Sequence, residues 1–362
     1  MSNTIGTLFR VTTFGESHGV GVGAVIDGCP SRLALSEQDI QVQLDRRRPG
    51  TSALVSPRAE KDKVKILSGV QGGLTLGTPI GLLVENADTR SGDYVDLAQV
   101  PRPSHADMTY MTKYGITARS GGGRASARET VGRVAAGAVA EKMLTHRNGI
   151  KIVAWVSAVG SIEAPDMTED GISRKDVDAN IIRCPDPKSA KKMQDLVKKV
   201  LAEKDSIGGI ITCVCSNVPA GWGEPVFGKM TAELGRAMMS IPAIRGIEIG
   251  SGFNGARMRG SEHNDLFVMK KGSIRTSTNR SGGIQGGISN GEDIVFRLAF
   301  KPPATIGSRQ KSVDYKGRKV VLEDIKGRHD PCVLPRAVPI VEAMAAIVLA
   351  DFSLIAGAYA GK

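Results

Sequence analysis

The sequence has few aromatic residues and no long uninterrupted apolar run. Phe, Trp and Tyr make up 4% of the 362 residues, which disfavours a surface that stacks nucleic-acid bases. The most apolar stretch, 337–350, contains Pro339 and Glu342 and is shorter than the roughly 20 residues that a membrane span needs. We therefore expect neither nucleic acid nor a membrane as a partner.

Cysteine is also scarce. The five cysteines are odd in number, and none of their spacings is typical of zinc ligands. Buried, reduced thiols are the simplest interpretation, and we expect no metal site. The first ten residues lack the basic-then-apolar pattern of a secretory signal. These features predict a cytoplasmic protein, or a protein of the plastid stroma if a transit peptide has been removed.

The chain does have a strong basic excess, with a formal net charge of +11. Such an excess attracts anions of every kind, so the placement of the charge decides between them. Arginines cluster beside Gly, Ser and His in loop-like segments, whereas the lysines of 188–204 form an ordinary helix face. Because the guanidinium fork suits phosphate and carboxylate, the pattern favours a small, multiply anionic, phosphorylated ligand.

Apolar periodicity predicts helices and strands mixed without strict alternation. A capping box of Ser126 and Glu129 predicts a helix start, and Pro339 is expected in the first turn of a buried helix. The predicted strands are 8–13, 20–26 and 210–215, and the predicted helices are 36–44, from 126 onward, 189–204 and 340–349. This mixture favours the α+β class with largely antiparallel sheets. No linker-like segment interrupts the chain, so we expect one domain, 1–362.

Six loop segments carry residues suited to chemistry. They are 15–19 (GESHG), 45–50 (DRRRPG), 101–105 (PRPSH), 120–126 (SGGGRAS), 281–291 (SGGIQGGISNG) and 327–331 (GRHDP). Each segment alone also fits a structural turn, a solvated basic surface or a salt-bridged loop.

Taken together, these segments point to proton transfer at an anionic ligand. Three of the five histidines, His18, His105 and His329, fall within them, and imidazole exchanges protons near neutral pH. The glycine loop before residue 126 offers backbone amides to an anion. Phosphate-loop, dinucleotide, nucleophile-elbow and kinase signatures are missing from the sequence. The combination suggests proton transfer together with departure of an anionic group.

These motifs, in this order, resemble those of the chorismate synthase family, of the monofunctional type, over residues 5–351. The resemblance implies a β-α-β sandwich with helices between antiparallel sheets, assembled as a homotetramer. It also implies conversion of 5-enolpyruvylshikimate 3-phosphate to chorismate and phosphate by 1,4-anti elimination. Reduced FMN is then required without net redox change, and NADPH or another external reductant acts indirectly by keeping the flavin reduced.

The resemblance assigns roles residue by residue. His105 would protonate the departing phosphate, His18 would handle protonation at the flavin, and Asp330 would support proton removal by the reduced flavin's central nitrogen. The implied substrate-binding residues are Arg47, Arg48, Arg102, Ser126 and Arg328. The implied flavin-binding residues are Arg124, Ala125, Ser126, Pro242, Ala243, Gly286, Lys301, Pro302, Pro303, Ala304, Thr305 and Arg328.

Four positions depart from the common family pattern. Ala125 stands where Ser is frequent, Ser104 where Gly is frequent, and Pro242 where Asn is frequent. Pro242 lacks the side-chain amide. Ala53 stands where some relatives have Arg, so it offers no guanidinium to a nicotinamide cofactor. None of the departures removes a proposed His, Asp or Arg.

Two other functions compete with this interpretation. A nucleic-acid-binding protein would use the net charge on a basic stripe with exposed aromatic residues. A flavin reductase would oxidise NADPH directly, without a shikimate-type substrate.

Overall fold

The computed structural model describes residues 2–50, 61–86, 100–116, 122–270, 272–322 and 330–359. The strands in these ranges are β1 (Thr4–Ile5), β2 (Arg10–Gly15), β3 (Gly21–Asp27), β4 (Val64–Ile66), β5 (Val70–Gln71), β6 (Leu74–Thr75), β7 (Ile80–Glu85), β8 (Lys151–Val159), β9 (Ile162–Glu163), β10 (Gly209–Ser216), β11 (Ile244–Ile249), β12 (Phe267–Lys270), β13 (Ser273–Thr276), β14 (Ile284–Gln285), β15 (Ile288–Ser289), β16 (Ile294–Phe300), β17 (Gln310–Val313) and β18 (Lys319–Leu322). The α-helices are α1 (Glu37–Arg47), α2 (Asp107–Tyr114), α3 (Thr130–Asn148), α4 (Arg174–Asp178), α5 (Pro187–Ala202), α6 (Met230–Met239), α7 (Gly252–Gly255), α8 (Gly260–His263) and α9 (Leu334–Tyr359).

Two five-stranded antiparallel sheets form the framework. The first has the order β1-β2-β3-β7-β4, and the second has the order β11-β16-β10-β8-β9. Two-stranded hairpins (β5-β6, β12-β13, β14-β15 and β17-β18) extend from this framework. The predicted α+β class with antiparallel sheets is confirmed.

The long helices α3 and α9 carry most of the core. Helix α3 packs on strands β2, β3 and β7 of the first sheet, α9 packs on β8 and β10 of the second, and the two helices pack against each other. Gly137 of α3 makes this contact possible, because a Cβ there would lie 2.3 Å from the Cβ of Ala343. The close approach buries an almost continuous apolar cluster between the sheets.

The predicted helix and strand positions hold apart from two helix starts. Ser126 caps only a single 3₁₀ turn, Ala127–Glu129, through its Oγ and the Arg128 N–H. The α-helix begins at Thr130, and Glu129 pairs with Arg133 at 3.0 Å. The predicted capping box is therefore wrong, because Glu129 has a stronger partner one turn further along.

The second correction concerns Pro339, which lies inside α9 instead of in its first turn. Proline lacks an N–H, so the carbonyl of Pro335 loses its partner in the helix. The Arg183 guanidinium donates to that carbonyl, which explains how the helix continues through the proline. Pro335, in turn, occupies a position near the start of the helix, where proline is well tolerated.

Helix α9 is the one helix in the described part of the chain that is long and apolar enough to cross a membrane. Its most apolar window is 83% buried inside the protein, as is typical of a core helix. All five cysteines are buried and unpaired, as the sequence predicted.

Candidate active site

A cleft of about 690 Å³ opens where loops from both halves of the chain meet. Its volume is typical of a small-molecule site, for which about 300–1,000 Å³ is usual. The charged side chains on its wall are mostly cationic. They are Arg47, Arg102, Arg128, Arg245, Lys301 and Arg336, together with the single carboxylate of Asp330. Among the described residues, six cations therefore face the cleft against one anion.

His18 lies on the wall of this cleft, in the turn that joins β2 to β3. Gly15 begins the turn with φ +89, where a Cβ would lie 2.1 Å from the Gly21 carbonyl oxygen, so only glycine fits. The Asn86 amide donates to the carbonyl oxygens of Glu16 and Gly19 at 2.9 and 2.8 Å. These bonds fix the turn, and the Ser17 hydroxyl lies 3.0 Å from His18 Nδ1.

His105 and Arg102 reach the cleft from the short loop before α2. The Asp107 carboxylate accepts from Arg102 Nε and Nη2, both at 2.8 Å, and lies 2.7 Å from His105 Nδ1. Burial alone would raise the pKa of Asp107, but the bonds from Arg102 and His105 hold that pKa well below its usual range. Ser104, between them, has a left-handed φ of 57.

Arg47 and Arg128 form a buried pair around Asp62. Arg47 Nη1 lies 2.8 Å from Asp62 Oδ2, and Arg128 Nη1 contacts Asp62 Oδ1. Arg47 also donates to the Thr130 hydroxyl at 3.2 Å, and Arg128 Nε donates to Asn86 Oδ1 at 2.8 Å. Among the described residues, two guanidiniums on the cleft wall therefore share one carboxylate.

The same network governs ionisation of Arg47. Burial lowers the pKa of Arg47 to about 10, with Asp62 opposing the shift and Arg336 and Arg128 adding to it. Since this value is still well above neutrality, Arg47 stays charged at pH 7. The cleft therefore presents a permanent cation that has been almost completely removed from water.

Asp330 stands at the start of the segment that leads into α9. Its Oδ2 accepts from Arg336 Nη1 at 2.5 Å, and Arg336 Nε donates to the Arg47 carbonyl oxygen at 3.4 Å. The side chains of Asp330 and Arg336 are 11% and 14% exposed. The carboxylate is therefore oriented by a cation that also contacts the backbone of α1.

The wall formed by the 242–245 and 301–305 loops has short side chains. Ala243 and Ala304 line it beside Lys301, whose backbone N–H donates to the Ala243 carbonyl oxygen at 2.9 Å. Burial and the nearby Arg245 charge lower the pKa of Lys301. Small apolar side chains thus lie on the same wall as two cations.

A second cavity of about 440 Å³ adjoins the cleft. The two share Ala106, Ala125 and Pro242 in their walls. Arg124 lines the second cavity and donates to the Thr13 hydroxyl at 2.7 Å.

The model of the chorismate synthase family matches residues 9–354. The chain belongs to the chorismate synthase family. A chorismate synthase of Thermosynechococcus vestitus is 61% identical over 355 residues, covering 98% of this chain and 97% of that protein. One of Prochlorococcus marinus (strain MIT 9312) is 56% identical over 363 residues, covering 100% and 99%.

A solved structure agrees with these relatives. It is described as the crystal structure of chorismate synthase and superposes with a TM-score of 0.77 at 33% identity, covering 97% of this chain and 93% of its own. The family resemblance predicted from the motifs is confirmed. These comparisons also support the activity of the family, which is the conversion of 5-enolpyruvylshikimate 3-phosphate to chorismate and phosphate.

Most residues that the family resemblance singled out lie together on the wall of the cleft. These are His18, Arg47, Arg102, His105, Ala125, Ser126, Pro242, Ala243, Lys301, Pro303, Ala304, Thr305 and Asp330. The structure therefore brings together residues that are up to 312 positions apart, from His18 to Asp330.

The others lie elsewhere in the described residues or outside them. Arg48 is 42% exposed and is 3.8 Å from Asp45, Gly286 lies at the turn of the β14-β15 hairpin, and Pro302 is not on the described cleft wall. Arg124 lines the adjoining cavity. Arg328, His329 and Ala53 fall outside the described residues.

Sequence reasoning on the chorismate synthase motifs missed several contributors. Arg128 and Asp107 each lie two residues beyond the end of a quoted segment, 120–126 and 101–105 respectively. Their spacing from Ser126 and His105 is the signal that could have found them. Asp62, Arg245 and Arg336 lie outside all six motifs, and only the fold brings them to the site.

Proposed function

We propose that this cleft binds 5-enolpyruvylshikimate 3-phosphate together with reduced FMN and performs the 1,4-anti elimination of phosphate without net redox change. The observation that carries the proposal is that six cations line the same cleft as His18 and His105. The substrate has a phosphate and two carboxylates, so these cations match its charge. Preorganised cations of this kind stabilise charge that develops on a leaving group.

The described residues suit FMN. The short side chains of Ala125, Ala243 and Ala304 leave a surface on which a planar ring can lie, and Lys301 and Arg245 lie close enough to meet a phosphate. Pro242 offers no side-chain amide there, but the apolar wall does not depend on one. When bound, reduced FMN would supply electron density to the elimination without being consumed. NADPH or another external reductant would keep it reduced.

The histidines and Asp330 would handle the protons. His105, on the wall beside Arg102, would give a proton to the departing phosphate oxygen. His18 would hold a proton near the flavin, from a turn that Asn86 fixes in place. Asp330, oriented by Arg336, would assist removal of the substrate proton. Arg47 and Arg102 would hold the substrate anions, because both guanidiniums are anchored from behind by carboxylates.

The packing of α3 and α9 between two antiparallel sheets supports a single β-α-β sandwich domain. A homotetramer is part of the same proposal. Exposed apolar side chains of the β12-β13 hairpin support it, with Phe267, Met269 and Ile274 at 70%, 69% and 69% exposure. The relatives named above come from cyanobacteria, which supports a cytoplasmic location.

The test is an anaerobic reaction of the purified protein with dithionite-reduced FMN and 5-enolpyruvylshikimate 3-phosphate. We expect phosphate and chorismate to appear in equal amounts and only with reduced flavin. Oxidation of NADPH by the protein and FMN without any substrate would favour the flavin reductase alternative. Phosphate release without chorismate would mean that the cleft hydrolyses the ester instead of eliminating it.

A further inference from the structure

The carboxylate of Asp107 is placed where it can control His105. It accepts four hydrogen bonds: from His105 Nδ1 at 2.7 Å, from Arg102 Nε and Nη2 at 2.8 Å each, and from the Arg102 backbone N–H at 3.1 Å. The three side chains are 9% to 19% exposed. A single partly buried carboxylate therefore fixes both the imidazole and the guanidinium that face the cleft.

The geometry points to Asp107 as a positioning residue that sets the tautomer and orientation of His105 for proton transfer to the leaving phosphate. This inference rests on the proposed function. A carboxylate only accepts hydrogen bonds, so His105 Nδ1 must carry a hydrogen to bond with it. The nitrogen that exchanges a proton with the ligand is then Nε2, on the far side of the ring from Asp107.

The contact between Arg102 Nη2 and His105 Nδ1, at 3.1 Å, is explained by the same arrangement. Both atoms are donors that converge on Asp107 Oδ1. Their closeness results from sharing one acceptor and is not a bond between them. With Asp107 absent, two donors would face each other with nothing between them, and the imidazole would lose its orientation.

A purely structural role is the competing explanation, because Asp107 is also the first residue of α2. Acidic residues in a first helical turn stabilise the helix. The oxygens of Asp107, however, accept from Arg102 and His105, which precede the helix. The helix explanation predicts a loss of stability, whereas the positioning explanation predicts a loss of rate that depends on His105.

The Asp107→Asn variant separates the two explanations. Asn keeps the shape, but its amide offers a donor to one of the two groups that Asp107 accepts from. We expect phosphate release in a single turnover to slow by about 10²-fold, within the range that general acid catalysis supplies, and substrate affinity to change by a much smaller factor. Asp27→Asn is the matched control, since it removes the same charge from an exposed pair with Arg10 and should leave the rate unchanged.

A double-mutant comparison shows whether Asp107 acts through His105. If it does, His105→Ala and His105→Ala combined with Asp107→Asn should react equally slowly, because the second change removes support for a group already lost. If the double variant instead reacts more slowly than His105→Ala, by the factor that Asp107→Asn causes alone, the inference is contradicted. Asp107 would then have a role separate from His105.

A measurement that needs no activity decides the same point. Long-range proton–nitrogen NMR of protein carrying isotope-labelled histidine, assigned with His105→Gln, reports the tautomer of neutral His105. We expect hydrogen on Nδ1 in the unchanged protein and a shift toward Nε2 in Asp107→Asn. Hydrogen on Nε2 in the unchanged protein would overturn the inference. Failure of the unchanged protein to release phosphate would instead contradict the proposed function.

Discussion

Removing the charge of Asp62 should destabilise the protein more than removing the charge of any exposed carboxylate. Asp62 is 2% exposed and lies between Arg47 and Arg128, which are 2% and 3% exposed. In Asp62→Asn the two guanidiniums lose the charged carboxylate that they share, and the Asn amide presents donors to one of them. Removing one partner from a buried ion pair costs about 3–5 kcal/mol, so we expect a loss of that size in the free energy of unfolding.

Urea unfolding followed by tryptophan fluorescence measures this loss, since Trp155 and Trp222 are both buried. The urea midpoint should fall with an unchanged m-value, which would show that the compactness of the two states is preserved. Asp27→Asn is again the control, with an expected change below about 1 kcal/mol because its pair with Arg10 is exposed. Inorganic phosphate should stabilise Asp62→Asn more than the unchanged protein. The reason is that the substitution removes one negative charge and so makes the cleft of the variant more positive.

A loss below about 1 kcal/mol for Asp62→Asn would refute this reasoning. It would mean that water or a displaced side chain solvates the guanidiniums of Arg47 and Arg128. These two cations would then not be held away from water as described above. Equal stabilisation of both proteins by phosphate would place the bound phosphate away from this network.

The pH dependence of stability follows from the same carboxylate. Burial alone would raise the pKa of Asp62, but the Arg47 and Arg128 charges lower it below the ordinary value of about 3.9. A lowered folded-state pKa gives stability that is present above about pH 4 and is lost as pH falls through the folded value. Acid unfolding measured from pH 5 downward, at about one-unit steps, should therefore be steeper for the unchanged protein than for Asp62→Asn. If stability falls with pH equally steeply in both proteins, Asp62 does not ionise more readily in the folded state than in the unfolded state.

Three further predictions test the site and the assembly. His105→Ala should reduce turnover by about 10²- to 10⁴-fold and change substrate affinity far less, and an unchanged turnover number in a steady-state assay would remove it from the chemistry. Arg48→Ala should weaken substrate binding measured by calorimetry, whereas equal affinity would leave Arg48 on the solvent-facing surface, paired with Asp45. Light scattering should give the mass of four 38.2 kDa chains, and a monomer at working concentration would contradict the homotetramer.

The parts of the fold that the sequence predicted are those decided by local physics. Strands β2, β3 and β10 and helices α1 and α5 follow from apolar periodicity and from capping residues, such as Ser36 before α1. The start of α9 could not be predicted, because Pro339 is tolerated only through the distant Arg183. The order of strands in the two sheets is likewise set by packing between distant segments, and periodicity does not report it.

The candidate site divides in the same way. His18, His105 and Arg102 stand out because glycine or proline surrounds them in short loops. Asp62 has no glycine or proline beside it, and Arg336 follows Pro335 but lies within helix α9. The importance of both comes from what lies beside them in space. Residue type and spacing thus locate the groups that face the ligand, whereas the charges that hold those groups in place depend on the tertiary structure.

The most direct test of the central claim is the amount of product formed per flavin. In an anaerobic reaction with a large excess of 5-enolpyruvylshikimate 3-phosphate over reduced FMN, chorismate and phosphate should each exceed the flavin many times over. The flavin spectrum should still be that of the reduced form when the substrate is consumed. One chorismate per flavin, with oxidised FMN at the end, would contradict an elimination without net redox change in this cleft.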